Sequence, residues 1–124
     1  MPVLSAPYGP THELPGARFT SLATPSRGAA ETSVWLVELA PGAPGTPHRL
    51  TREEVFVVLE GSAEVHLDGA ASVAEPGDAI VVPPGMPFSL AARGTRSLRA
   101  VCCLPVGGQG MLADGVAFTP PWAE

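Results

Sequence analysis

The chain has 124 residues, 45% of them apolar, and a net charge of −5 from 12 acidic and 7 basic side chains. That length and apolar content support one domain with a real core and exclude wholesale disorder. The bases, all arginine, form no stripe and aromatic residues are few, so nucleic acid is not an expected partner; no stretch approaches the roughly 20 apolar residues that span a bilayer, and a cytoplasmic protein is expected.

Fifteen prolines and fourteen glycines interrupt the chain too often for helices of ordinary length, which points to an all-β protein. Residues 1–30 read as an irregular arm with one short strand around Ala17–Leu22. Strands are then expected at Ser33–Leu39, Glu54–Leu59 and Ala63–Leu67, the last closed by the Asp68-Gly69 hairpin signal. A short one at Ser72–Ala74 follows, and the Pro76-Gly77-Asp78 turn launches Ala79–Val82. Phe88–Ala92 and Ser97–Leu104 complete the barrel region, 31–104, and 105–124 forms a tail that packs on the barrel through Trp122. Short strands between turn signals suggest a sandwich or closed barrel.

The faces add detail. Glu54, Phe56 and Val58 share one side of their strand and Val55, Val57 and Leu59 the other, so both sides are apolar and both need cover. The outer one is expected to meet a second sheet or subunit, and the same pattern implies a homodimer formed through a sheet face or the N-terminal arm. Ala63, Val65 and Leu67 alternate with Glu64 and His66, which puts His66 on a wet face. Cys102 and Cys103 are adjacent, point to opposite faces of a strand and make a poor disulfide.

Two motifs stand in register. Gly42, His48, Glu54 and Gly61 follow the spacing G-x5-H-x-H-x3,4-E-x6-G, with Leu50 at the second histidine; Gly77, Pro83 and Gly85 follow G-x5-P-x-G-x2-H-x3-N, with Phe88 at the histidine and Ala92 at the asparagine. Over about residues 33–104 the chain therefore resembles a small single-domain cupin of the type-2 conserved barrel family. The resemblance implies a six-to-eight-stranded jelly-roll barrel whose first-motif and second-motif residues converge inside. Metal-binding cupins use two histidines and the glutamate of the first motif and the histidine of the second. Here His48 and Glu54 remain, fewer than the three protein ligands a catalytic divalent transition metal normally needs, so no metal cofactor is expected. If a metal were held, His48 and Glu54 would be its first ligands; His12 in the arm, outward-facing His66 and the two cysteines are the remaining donors.

The implied cavity is mostly apolar, with His48 and Glu54 as its polar groups and Leu50, Phe56, Val58, Phe88 and Trp35 as walls; Arg52 is placed at the rim. Burial favours the uncharged form of each group and mutual attraction the charged one, so whether His48 and Glu54 touch decides their state. Separated by a substrate, they are an acid–base pair for a metal-independent isomerase, cyclase or lyase acting on a small apolar metabolite. The alternatives are a non-catalytic barrel that binds a small ligand and, third, a metalloenzyme with a non-standard ligand set.

Overall fold

The structure is a computed structural model that describes residues 2–124. It is an all-β jelly-roll barrel with two single-turn 3-10 segments, Pro25–Arg27 and Pro121–Ala123. The strands are β1 (His12–Leu14), β2 (Ala17–Ala23), β3 (Thr32–Leu39), β4 (Arg49–Leu50), β5 (Glu54–Glu60), β6 (Ala63–Leu67), β7 (Ala70–Ala74), β8 (Ala79–Val82), β9 (Phe88–Ala92), β10 (Leu98–Pro105), β11 (Gly110–Met111) and β12 (Ala117–Phe118). Among the described residues no helix is long and apolar enough to cross a membrane.

Six strands form the larger sheet, in the order β1-β2-β3-β10-β5-β8. The opposing wall consists of β7-β6-β9 and β12-β11-β4, joined by an isolated antiparallel bridge between His48 and Phe88. Period-two alternation fixes which side chains enter the barrel. On β10, Leu98, Ala100, Cys102 and Leu104 are all buried while their neighbours are half-buried. Cross-strand register then carries one inward row from Ser21 through Trp35, Cys102 and Phe56 to Ile80.

The stretch before residue 31 departs from the expected irregular arm. Ala17–Ala23 is a full seven-residue strand of the main sheet, and His12–Leu14 pairs with it across a turn at Gly16. Pro15 and the polar residues around it hide the hairpin in sequence, because β1 is an edge strand with little apolar surface to bury. Strands β4, β11 and β12, two residues each, are below the length at which alternation is visible. Gly61 ends β5 with φ of +75°, and a Cβ there would run into the Ser97 carbonyl oxygen, so both conformation and space require glycine.

The closing segment crosses back over the barrel. Hydroxyls of Ser21 and Ser33 donate to the carbonyls of Trp122 and Ala123 at 2.8 and 2.7 Å, and the Trp122 indole lies flat on Phe19, ring centroids 3.6 Å apart.

Candidate functional site

Inside the barrel is a cavity of about 410 Å³, a size typical of small-molecule sites. Trp35, Val37 and Leu39 of β3, Leu50 of β4 and Phe56 of β5 form much of its wall. His48 and Glu54 are its two titratable lining groups.

Glu54 opens β5 and points inward with Phe56 and Val58, because all three share the parity of the strand's buried face. It is only 4% exposed. Burial alone raises its pKa from 4.5 to about 8, with no opposite charge or hydrogen bond to hold the charged form. The side-chain ion pairs among the described residues are Arg18–Glu13, His66–Glu64 and Arg99–Glu60, so His48 and Glu54 do not form one. At neutral pH the carboxyl is therefore protonated and can donate.

His48 is fixed through its backbone, which exchanges two 2.9 Å hydrogen bonds with Phe88. Its Nδ1 lies 2.9 Å from the Thr46 carbonyl oxygen. A carbonyl only accepts, so Nδ1 carries the proton, and in the neutral ring Nε2 bears the lone pair. The site thus pairs a buried acid with an imidazole whose second nitrogen is free to accept.

Of the walls expected from sequence, Trp35, Leu50 and Phe56 do line the cavity. Phe88, Val58 and Arg52 do not. Phe88 points into the core beside the cavity, its ring 4.3 Å from that of His48 and 6.0 Å from that of Phe56, and so backs two lining residues. Val58, 1% exposed, sits two residues further along β5 opposite Ala100, where the barrel is filled. Arg52 is exposed on the loop between β4 and β5, and its side chain stays in water. Sequence reading missed Leu14, Pro15, Ala17 and Phe19 before the barrel region, and Gly110, Leu112, Phe118, Pro120 and Trp122 after it. The alternation of apolar residues in ARFTSLA was the one available signal; the register that brings the tail over the mouth depends on β4–β11 pairing, which is non-local.

The donor set does not fit a catalytic transition metal. His48 and Glu54 are two candidate ligands where three are needed, and among the described residues no group of three or more His, Cys, Asp or Glu side chains is placed to share an ion. His66 faces outward and hydrogen-bonds Glu64 at 3.0 Å. His12 bonds Thr11 and meets the edge of Trp122 at 6.5 Å, outside the cavity lining. Cys102 is fully buried on the inward face and Cys103 is half-buried on the outward one; both are free. Burial, with the nearby Glu54 adding to it, pushes both thiols above their ordinary pKa, which disfavours the thiolate a metal requires.

The architecture is shared with solved structures. KdgF from Halomonas sp. is 27% identical, with a TM-score of 0.68 over 79% of this chain and 86% of that one. Salicylate 1,2-dioxygenase from Pseudoaminobacter salicylatoxidans, solved as adducts with gentisate, is 26% identical with a TM-score of 0.65, over 76% of this chain and 26% of the dioxygenase. The polyketide cyclase RemF from Streptomyces resistomycificus, 24% identical with a TM-score of 0.68 over 82% and 73% of the two chains, shares the fold. No curated protein sequence matches the chain. The family profile described as "Cupin domain" matches residues 35–104, the stretch that carries both motifs together with His48 and Glu54, and the chain belongs to the cupin family.

Proposed function

We infer that the protein is a metal-independent acid–base catalyst acting on a small, largely apolar molecule held in the barrel, in an isomerisation, cyclisation or lyase reaction. The observation that carries this reading is the placement of Glu54: a carboxyl 4% exposed at the cavity wall, in no ion pair, whose burial raises its pKa to about 8 and so favours the proton-donating form at neutral pH. His48 is the complementary base through Nε2. In the simplest cycle Glu54 gives its proton to a substrate carbonyl oxygen while His48 takes one from the adjacent carbon, producing an enol. The cycle closes when the enol O–H proton returns to Glu54 and His48 gives its proton either to the remote carbon of a conjugated enol, an isomerisation, or to the oxygen of a carbonyl that the enol carbon attacks, a cyclisation, so both groups are reset and no oxidant is needed.

The direct test is deuterium exchange. Uncharged ketones with an acidic α-hydrogen, incubated with the protein in deuterated buffer, are expected to incorporate label by NMR. Glu54→Gln and His48→Gln should each slow incorporation by about 10²–10⁴-fold, and a chelator should leave the parent rate unchanged. The parent rate should fall as pH rises through about 8, where Glu54 loses its proton. Full exchange activity in Glu54→Gln would end the proposal, and ligand binding with no exchange in any substrate would leave a binding barrel.

A homodimer through the outer face of the six-stranded sheet belongs to the same reading. That face presents half-buried Val34, Leu36, Val57 and Val101 with exposed Leu59 and Val81, an apolar surface that a second copy covers. Light scattering should give about twice the 12.7 kDa chain mass.

A further inference from the structure

The family match ends at residue 104 and begins at 35, yet the cavity wall continues beyond both limits. Phe19 enters from β2, and Leu112, Phe118 and Trp122 from the closing segment. Phe19 and Trp122 are stacked on each other, parallel within 4° and 3.6 Å apart, and both residues line the cavity. The backbone under the indole is held independently of the ring, since Ser21 and Ser33 donate to the Trp122 and Ala123 carbonyls. A second observation concerns charge. None of the seven arginines lines the cavity, and the one acidic group there is a carboxyl without a cationic partner. An anionic ligand would lose its hydration there with no arginine to replace it and the Glu54 carboxyl as a single neutral donor.

We propose that the terminal segments set ligand choice in this barrel, with Phe19 and Trp122 as the specificity-determining pair and an uncharged, flat, ring-containing molecule as the ligand they select. The proposal rests on the barrel cavity being the ligand site, as the acid–base reading does, but not on any reaction occurring there. The physical basis is twofold. A fixed aromatic wall made of the mutually stacked indole and phenyl favours planar molecules through buried area and offset or edge contact. Either kind of ligand can accept a hydrogen bond from the Glu54 carboxyl, but a carboxylate gives up far more hydration for it than a neutral carbonyl or amide does, and no arginine lines the cavity to offset that loss.

Two near-isosteric probes separate shape from charge: 2-naphthamide and 2-naphthoate, titrated calorimetrically into the intact chain at pH 7. The amide is expected to bind, and the carboxylate to bind about tenfold more weakly or worse. Trp122→Ala should weaken the amide roughly tenfold by removing wall area. Should that variant lose its fold by circular dichroism, Phe19→Leu, which keeps most of the volume, carries the test and is expected to weaken the amide about threefold or more. Equal affinity for both probes, no binding of the amide at about 1 mM, or unchanged amide affinity in folded variants at both positions would overturn the proposal. Failure of the acid–base reading looks different: unchanged exchange activity in Glu54→Gln, with the amide-over-carboxylate preference intact, sinks that reading alone.

Discussion

The barrel's inner face contains two regions that are equally buried and differently used. Val58, Ala63, Val65 and Leu98 are 0–3% exposed and pack against one another, whereas Trp35, Leu50, Glu54 and Phe56, at 3–6%, face a cavity. Burial therefore does not mark the site. What separates the regions is what lies opposite: Val58, Ala63, Val65 and Leu98 belong to the continuous buried core, whereas residues of both terminal segments line the cavity that Trp35, Leu50, Glu54 and Phe56 face. The packed region supplies stability, and the cavity region keeps a polar group, Glu54, whose burial favours its uncharged form.

The sharpest way to break this comparison is to remove equivalent bulk from each region. Leu98→Ala, in the filled part, should cost about 2–5 kcal/mol in denaturant unfolding, since the cavity left behind has nothing to collapse into it. A cost below about 1 kcal/mol would show that the packed region is looser than its burial implies.

Comparable in size is the pH dependence of Glu54. Between about 4.5 and about 8 the folded chain keeps a proton that the unfolded chain has released. Raising pH through that window therefore favours unfolding, and the slope ends once the folded carboxyl also ionises. Below the window both states are protonated and the group contributes no slope. Glu54→Gln removes the effect, so the variant should exceed the parent in stability by about 3–5 kcal/mol at pH 9 and match it near pH 4. Parallel stability–pH curves for parent and variant would mean that Glu54 is already charged in the folded chain.

Leu50→Ala should cost less than Leu98→Ala, about 1–2 kcal/mol, because the lost side chain enlarges a space that already exists and no new void forms. It should also reduce ligand affinity, which Leu98→Ala should not. Smallest is Arg52→Ala, expected within about 0.5 kcal/mol of the parent in stability and neutral for binding, since its exposed loop position touches neither region.

These regions were not equally legible from the amino acids. The strand set from Ser33 to Leu104 and the inward parity of Glu54, Phe56 and Val58 follow from local alternation and turn residues, and the two spaced motifs identify the barrel. Alternation tells which side a residue takes but not how deep along the barrel it sits. That is why Val58 and Phe88 were expected at the cavity and belong to the core around it. The terminal walls were less accessible still. Phe19 is positioned by a hairpin whose edge strand carries almost no pattern, and Trp122 by hydroxyl-to-carbonyl bonds from Ser21 and Ser33 some ninety residues or more away in sequence. Serines of this kind look like any surface serine until the fold brings them to their partners.

The central position of β10 bears on how the chain is made. It pairs with β3 on one side and β5 on the other, joining Leu98–Pro105 to strands synthesised roughly forty to seventy residues earlier. In order of synthesis the β2–β3 hairpin and the β5–β8 pair precede β10, and each leaves unpaired the edge that β10 later occupies. Until β10 arrives, those edges are templates for other nascent chains. Slow, non-local closure of this sort predicts that the yield of native protein responds more to translation speed and growth temperature than the stability of the finished barrel does, because the vulnerable interval ends once one late strand has been inserted.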